Sequence, residues 1–320
     1  MNSAKNLTDR AIAAYLGLAV GDALGATVEF MTPREIVEKY RVHDTLIGGG
    51  WLHLKPGQVT DDTTMSLALG NSILELGRVD ALAAALAFDA WMRAKPVDIG
   101  NTVRRNLLQF RKTGTPEAPC SEHDAGNGAL MRVLPVALAT INQSEQDIRA
   151  ACRAQGHVTH NSPLSDAACE TLVLMIQDAL KGCDKNHLLH NHAHPLAARH
   201  PEFRFRAIRQ VGNPSGYVVD TVQAVFQAFF DTDDFRDCLV DVVNRGGDAD
   251  TTGAIAGMLA GAQYGLDDIP EEWKKSLNSE VRTLCETQAA ALASLGQQAL
   301  QDRKASASIQ QGKSSPARRC

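Results

Sequence analysis

Several features that mark other classes of protein are scarce or missing in this chain of 320 residues. Aromatic residues make up only 5%, which argues against an extensive β-sheet, because aromatic and β-branched side chains suit strands. No apolar run approaches the roughly 20 residues that are needed to span a bilayer. The net charge of −5 provides no basic field for nucleic acid. The sequence therefore predicts neither a membrane-spanning protein nor a nucleic-acid-binding one.

Disulfides and a secretory leader are not expected either. The seven cysteines are scattered singly and form no CxxC pair, which indicates reduced thiols rather than a disulfide framework. The polar N-terminal segment MNSAKNLTDR lacks the apolar core of a secretory signal. These absences predict a cytoplasmic protein. Nothing in the sequence forces assembly, so a monomer is expected.

Alanine and leucine are abundant and recur at helical spacing, while no stretch alternates apolar and polar residues over the length of a strand. Helix start signals recur too, since Pro33 follows Thr32 and Asp80 precedes an alanine-rich run. The predicted fold class is therefore all-α, with one compact multi-helix domain over residues 1–298. Helices are predicted over residues 9–25, 33–40, 61–77, 81–94, 99–111, 128–141, 145–155, 163–181, 216–230, 234–243, 251–264 and 271–296.

Two segments differ from this helical pattern. Residues 183–206 are rich in histidine and polar residues, and are predicted to loop out of the domain. Their histidines do not predict zinc, because they lack accompanying cysteines and the ordered pair spacing of zinc modules. Residues 299–320 are small, polar and basic, which predicts a disordered tail outside the domain.

The first cluster with chemical potential is the acidic start of a predicted helix, at Thr60, Asp61, Asp62, Thr63 and Thr64. Capping is the ordinary explanation, because aspartate and threonine accept from the free N–H groups of a helix start and complement its dipole. One cap needs only one side chain, however, and adjacent carboxylates repel unless a cation or donors compensate. The crowding therefore favours a site.

A second cluster of the same kind precedes another predicted helix, with Asp248, Asp250, Thr251 and Thr252. Oxygen ligands of this sort suit Mg²⁺, Mn²⁺ or Ca²⁺ rather than zinc. If the clusters meet in space, they could hold two cations about 3.5–4 Å apart, which would activate a water molecule and hold substrate oxygens.

Three further acids and a glycine-rich turn are less specific. Asp22 fits a helix end, and Asp98 fits an N-cap, but Glu29 lies between apolar neighbours where an unpaired carboxylate is costly. The Gly126–Gly128 turn could face an anion with its N–H groups, or be an ordinary turn. His157 and His160 could be ligands, catalytic bases or ordinary polar residues.

Glycines repeat every four residues after the second cluster, at Gly253, Gly257 and Gly261. Each costs about 1 kcal/mol relative to alanine in a helix interior. Residues at this spacing share one helix face, and a face without side chains lets another helix approach closely. The pattern predicts that this helix is buried against another core helix.

Taken in order, these motifs resemble the ADP-ribosylglycohydrolase family. The resemblance covers residues 12 to 265 and rests on six segments: GLAVGDALGATVEF, GQVTDDTTMSLALG, PVDIGNT, GNGALMRVLP, VTHNSPLSDAA and NRGGDADTTGAIAGMLAGAQYG. It implies an all-α fold with a binuclear Mn²⁺ or Mg²⁺ site at the bottom of a cleft. The implied metal ligands are Thr60, Asp61, Asp62, Asp248, Asp250 and Thr251.

The resemblance also implies roles for residues around the metals. Glu29 would lie beside the site and orient water or ligands, and Asp98 would supply acid–base help near the ribose. The implied substrate-binding residues are Asn101, Gly126, Asn127, Gly128, His160 and Tyr217.

The implied reaction is hydrolysis of the N-glycosidic bond between ADP-ribose and an arginine side chain of a modified protein. PSGYVVDTVQAVFQAFF also fits the subgroup from nitrogen-fixing bacteria that acts on dinitrogenase reductase. That subgroup implies control by a PII signalling protein and reversible membrane association through an ammonium channel.

Two other functions stay open at this point. The chain could be a member of the same fold that binds ADP-ribose without catalysis, although the intact aspartate clusters argue against it. It could also be a metal-dependent phosphohydrolase acting on a nucleotide diphosphate, since both activities need divalent metal and an anion site.

Overall fold

The computed structural model describes the backbone of residues 2–121 and 125–313, and the side chains of residues 7–121 and 125–298. Within these residues there are fifteen α-helices and no β-strand, so the all-α prediction is confirmed. The helices are α1 (Asn2–Gly25), α2 (Pro33–Tyr40), α3 (Asp61–Leu76), α4 (Ala81–Arg93), α5 (Asn101–Thr113), α6 (Leu134–Ala139), α7 (Glu145–Gly156), α8 (Pro163–Leu180), α9 (Lys185–Leu188), α10 (His194–Arg199), α11 (Val218–Asp231), α12 (Phe235–Val243), α13 (Ala249–Tyr264), α14 (Glu271–Ser276) and α15 (Ser279–Lys313). A π-turn, Leu189–Ala193, joins α9 to α10.

Helices α1 and α13 cross at the centre of the molecule with almost no side chain between them. A Cβ atom placed on Gly257 would lie 2.0 Å from the carbonyl oxygen of Gly17, and one on Gly253 would lie 2.4 Å from that of Gly21. The predicted glycine face therefore packs against α1 at backbone distance. A helix that is buried almost all round belongs to a protein core, and α13 is buried from Ala249 to Ala262.

The other helices surround this pair. Helix α15 packs on α1, α3 and α6. Its Gln288 donates to the Leu67 carbonyl of α3 and accepts from the hydroxyl of Tyr15 in α1. Helices α8, α11 and α12 pack on α13. The central pair is thus enclosed by helices from both halves of the chain.

Two predicted helices differ from the structure. Residues 128–132 form turns rather than helix, and α6 begins only at Leu134. The helix predicted over 271–296 is interrupted, because Asn278 caps a new helix by accepting from the backbone N–H groups of Glu280 and Val281. Both differences depend on local hydrogen bonds that apolar spacing does not report.

The prediction that residues 183–206 loop out of the domain is wrong. The segment folds into α9, the π-turn, α10 and a short 3₁₀ turn. Its apolar side chains are buried against the core: Leu188, Ala193, Leu196, Phe203 and Phe205. The histidines lie between these buried apolar residues. The prediction failed because the segment is polar on average, although its few apolar residues are enough to anchor it to the core.

The C-terminal boundary stays a prediction. Helix α15 continues to Lys313, and its side chains up to Ala293 are partly in the core. The predicted tail of residues 299–320 lies outside the described side chains, and residues 314–320 lie outside the described chain altogether. Across the described helices, none has a stretch long and apolar enough to cross a membrane.

Candidate active site

A cleft of about 540 Å³ lies where α3 and α13 begin. This volume falls within the roughly 300–1,000 Å³ of typical small-molecule sites. Eleven of the predicted site residues line it. Those that line it include Glu29, Asp61, Asp98, Asn101, Gly126, Asn127, Gly128, His160, Asp248, Asp250 and Thr251.

The two acidic clusters meet at the bottom of this cleft. The Thr251 hydroxyl lies 3.3 Å from Oδ2 of Asp62, and the Thr60 hydroxyl lies at the same distance from that oxygen. The other oxygen of Asp62, Oδ1, is buried and has no hydrogen-bond partner. A buried carboxylate oxygen without a partner is costly unless a cation satisfies it.

A second group of carboxylates gathers beside Asp62. Oxygens of Glu29, Asp248 and Asp250 all lie within 4.8 Å of one another. Trp51 donates to Oε2 of Glu29 at 2.5 Å, and fixes that carboxylate in place. Glu29 is therefore near enough to Asp248 and Asp250 to share a cation with them, which its neighbours in the sequence did not indicate.

Burial and mutual repulsion disfavour the ionised form of these acids, and a bound cation would offset both effects. Burial raises the pKa of Asp61 to about 7, and the charges of Asp98 and Asp22 add to the shift. Burial likewise raises the pKa of Glu29 to about 8, although the hydrogen bond from Trp51 opposes this. Burial also holds the pKa values of Asp62 and Asp250 well above their usual range. Among the described residues that line the cleft there is no lysine or arginine.

The donor set fits divalent cations of the hard type. It consists of carboxylate and hydroxyl oxygens, which Mg²⁺ and Mn²⁺ prefer, and it includes no thiolate or imidazole at the cleft floor. The unpaired Oδ1 of Asp62 supplies an observation that capping does not explain. The site is thus a candidate metal centre.

Asp22 has a role that local sequence did not indicate. From inside α1, it accepts from the backbone N–H of Thr60 at 3.0 Å and from that of Thr63 at 3.1 Å. It therefore caps α3 across a long chain separation, and Thr60, the local N-cap residue, makes no side-chain capping bond. This leaves Asp61 and Asp62 available for other partners.

Asp98 does not cap α5, contrary to its ordinary explanation. The N-cap residue is Gly100, and Asp98 lies half-buried in the wall of the cleft. Asn101 occupies the first position of α5 and is exposed at the cleft edge. Both residues are thus placed where a ligand could meet them.

His160 is buried and uncharged. Burial, together with Arg132 and Arg105, lowers its pKa to about 3. The Thr159 hydroxyl accepts from Arg132 at 2.8 Å and lies 2.8 Å from Nδ1 of His160. With Nδ1 engaged by this hydroxyl, Nε2 is the ring nitrogen of His160 that lies beside the Gly126–Gly128 turn.

The glycines of the Gly126–Gly128 turn make room for this imidazole. A Cβ atom on Gly128 would lie 2.6 Å from Cε1 of His160, and one on Gly126 would lie 3.0 Å from its Nε2. Asn127 between them donates to Oδ2 of Asp248 at 2.5 Å. The turn thus joins the histidine to the acidic cluster. Sequence reasoning missed the supporting pair Arg132 and Thr159.

Two predicted residues lie apart from the cleft. Tyr217 is 41% exposed and does not line the cleft, although its neighbours Ser215 and Gly216 do. His157 makes hydrogen bonds to Glu117 and Asp166 on the surface side, at 3.2 and 2.9 Å. A binding role for Tyr217 stays a prediction, and the contacts of His157 indicate a structural role.

Comparison with known proteins agrees with this geometry. A model of the ADP-ribosylglycohydrolase family matches residues 3–304. The chain is 50% identical to the ADP-ribosyl-[dinitrogen reductase] glycohydrolase of Rhodospirillum rubrum, over 90% of this chain and 96% of that protein. It is 35% identical to the ADP-ribosylarginine hydrolase Tri1 of Serratia proteamaculans, over 86% of this chain and 76% of that protein.

A solved structure gives the same result for the fold. An ADP-ribosylglycohydrolase-related protein complex contains a chain that superposes with a TM-score of 0.80 at 36% identity, covering 91% of this chain and 99% of the other. Sequence, fold and the paired acidic helix starts agree, and this chain belongs to the ADP-ribosylglycohydrolase family.

Proposed function

We propose that this protein hydrolyses the N-glycosidic bond between ADP-ribose and an arginine side chain of a modified protein, releasing ADP-ribose and restoring the arginine. The observation that carries the proposal is the meeting of the α3 and α13 acidic clusters, through Thr251 and Asp62, at the floor of a cleft of ligand size. Relatives that carry the names of dinitrogen reductase glycohydrolase and ADP-ribosylarginine hydrolase support this substrate class.

We propose that the cleft holds two divalent cations, with Mn²⁺ the expected metal and Mg²⁺ the alternative. The proposed ligands are Thr60, Asp61, Asp62, Asp248, Asp250 and Thr251, with Glu29 within reach. Cations bound there supply Lewis-acid polarisation of sugar oxygens and activation of water. The unpaired Asp62 oxygen and the raised pKa values of its neighbours support the assignment.

Asp98 and Glu29 are proposed to handle the protons of the reaction. Cleavage builds positive charge on the ribose, and the departing guanidine needs a proton. Asp98 lies in the cleft wall, where its carboxyl group can deliver that proton. Glu29 is held by Trp51 at the floor, and so can orient the attacking water.

The remaining residues are proposed to bind the substrate. Nε2 of the neutral His160 lies beside the Gly126–Gly128 turn, and as a donor it would suit a phosphate or ribose oxygen without adding a charge to the cleft. Asn101 lies at the edge of the cleft, and Tyr217 just outside it, where the adenine end of the ligand would extend.

Dinitrogenase reductase is the proposed target, so that removal of ADP-ribose would restore nitrogen fixation. We extend the proposal to control by a PII signalling protein and to membrane association through an ammonium channel. Co-purification of the chain with a PII protein from membranes tests this part. Recovery of the chain without PII under every nitrogen regime would reject it.

Product analysis tests the reaction itself. The purified protein with Mn²⁺ is incubated with an arginine-ADP-ribosylated protein, and the products are separated by chromatography. Free ADP-ribose is expected. AMP with ribose phosphate would instead identify a phosphohydrolase, and saturable ADP-ribose binding without release would identify a non-catalytic binding protein.

The Asp98→Asn variant tests the proton donor. Turnover should fall by about 10²-fold or more, the usual contribution of a positioned acid or base, while metal occupancy stays unchanged. Turnover near that of the parent protein at full occupancy would remove Asp98 from this role.

A further inference from the structure

A second group of metal-ligating side chains gathers away from the acidic cleft, where α8 ends. Asp178 lies in the last turn of α8, Cys183 in the following loop and His187 in α9. A carboxylate oxygen, the sulfur and a ring nitrogen of these three all lie within 4.8 Å of one another. None of the three is among the described residues that line the acidic cleft.

The backbone of the histidine-rich segment is arranged around Asp178. Nε2 of His187 lies 3.2 Å from Oδ2 of Asp178, and Nε2 of His192 lies 2.8 Å from the same oxygen. In a regular α-helix, residues five apart point in different directions, because each turn takes 3.6 residues. The π-turn Leu189–Ala193 changes this spacing and brings both rings to one carboxylate. Single π-turns are rare and often lie at functional sites.

We propose that Asp178, Cys183 and His187 form a cation site that takes Zn²⁺ or a metal with the same ligand preference. A thiolate, an imidazole and a carboxylate are the three ligand types that zinc uses, whereas the described acids and hydroxyls at the cleft floor offer oxygen alone. Three protein ligands leave a fourth position for water.

His192 acts on this site through Asp178. Carboxylates that bind a metal are themselves held by hydrogen bonds, and His192 supplies one from a side chain that is only 12% exposed. Lys181 contacts the other oxygen, Oδ1, at 3.3 Å, and its side chain is 41% exposed, so it can turn to solvent when a cation binds.

The consequence is a link between the end of α8 and the histidine-rich segment. Binding energy from a metal that only the folded state holds adds to stability. Residues 183–206 contain no cysteine pair of the kind that zinc modules use. The ligands come instead from one histidine, one cysteine and an aspartate of the preceding helix.

Another pair of histidines in the same segment offers an alternative metal site. The rings of His190 and His194 lie 5.3 Å apart on successive turns. Such a pair can bind metals through nitrogen alone. A probe that detects sulfur separates the two arrangements.

Cd²⁺ is that probe, because cadmium–thiolate bonds absorb in the ultraviolet and oxygen ligands do not. The full chain, saturated with Mn²⁺ and carrying Cys120→Ser and Cys320→Ser, is titrated with Cd²⁺. Cys120 is exposed, and Cys320 lies outside the described residues, so both are removed as competing thiols. One equivalent of Cd²⁺ should produce the band, and Zn²⁺ should abolish it by displacement.

Variants in that background assign the ligands. Cys183→Ser and His187→Ala should each lose the band, whereas His190→Ala should keep it. Zn²⁺ should also raise the unfolding temperature of the parent and not that of Cys183→Ser. Absence of the band in the parent, its survival in Cys183→Ser, or its loss in His190→Ala alone would overturn the proposal.

Folding of the variants is checked without metal. Cys183 and His187 both lie at the surface side of the segment, so the metal-free unfolding temperature should stay within a few degrees of the parent. If His187→Ala unfolds, His187→Gln replaces it, since glutamine keeps a donor toward Asp178. Turnover in the cleft should be unchanged in all of these variants.

Discussion

Two helices of this molecule begin with aspartates of opposite character. Asp80 caps α4 by accepting from the backbone N–H groups of Leu82 and Ala83, and these bonds lower its pKa. Asp61 and Asp62 are the first two residues of α3, one and two positions after its N-cap residue Thr60, yet they are buried and their pKa values are raised. The same residue type at the same end of a helix therefore has opposite electrostatics.

The two helix starts differ in which carboxylate accepts from the free backbone N–H groups. Asp80 uses the free N–H groups of its own helix, as a cap does. At α3 the N–H groups of Thr60 and Thr63 donate to Asp22 from α1, and Oδ1 of Asp62 has no hydrogen-bond partner. The capping carboxylate of Asp80 has protein donors for its oxygen. Asp62 has an oxygen without a protein donor, and this is the oxygen that we propose a cation binds.

The largest expected effect comes from Asp62→Asn. Turnover should fall more than about 100-fold, because even groups that only support metal ligands cost about 10–100-fold when removed. The Mn²⁺-induced rise in unfolding temperature should be lost as well. Turnover is measured by ADP-ribose release, and binding by calorimetry with Mn²⁺.

Asp80→Ala is the matched control for that variant. It removes an aspartate from a helix start without touching the cleft, so turnover and Mn²⁺ binding should equal those of the parent. If Asp62→Asn also kept full turnover, the contrast between the two helix starts would have no functional meaning.

The next largest effect is on the free energy of unfolding, at the close contact between α13 and α1. Gly257→Ala should lower the free energy of unfolding by about 1–3 kcal/mol or more, because overpacking displaces backbone, and the new Cβ would meet the Gly17 carbonyl at 2.0 Å. Denaturant unfolding measures it. Gly156→Ala is the control, since its Cβ would have 3.7 Å to its nearest neighbour. Equal stabilities for the two variants would contradict the backbone contact.

Much of this arrangement could be predicted from the sequence. Helical spacing gave the fold class, and glycines four residues apart at Gly253 and Gly257 indicated a face without side chains. Asp61, Asp62 and the neighbouring threonines are more polar side chains than one helix cap needs, and this indicated a site. Each of these inferences depends on residues that are near one another in the chain.

What the sequence did not predict depends on distant contacts. Asp22 caps α3, which begins 39 residues later at Asp61, by accepting from the backbone N–H of Thr60. The neutrality of His160 depends on burial beside Arg132, and Asp98 is free of capping because Gly100 takes that position. Local composition also concealed the apolar anchors of residues 183–206.

A smaller effect should separate the two kinds of aspartate by stability alone. Asp80→Ala should lower the free energy of unfolding by about 1 kcal/mol, the usual value of an N-cap. Metal-free Asp62→Asn should be at least as stable as the parent, since asparagine removes a buried acid whose ionisation burial disfavours. Both are measured by denaturant unfolding after chelation. A loss in Asp62→Asn equal to that in Asp80→Ala would make Asp62 a cap.

The smallest effect tests an acid that, like Asp80, has its own partner. Asp166 forms a hydrogen bond to His157 that raises the histidine pKa against the opposing effect of burial, and Glu117 adds to it. A raised folded-state pKa stabilises fully below the unfolded value of about 6.5, and the stabilisation is lost as pH rises through the folded pKa. The parent should therefore lose at most about 1 kcal/mol over this window, and His157→Gln should lose less. Unfolding curves at several pH values measure it, and the same pH dependence in both proteins would show that the pair is not the cause.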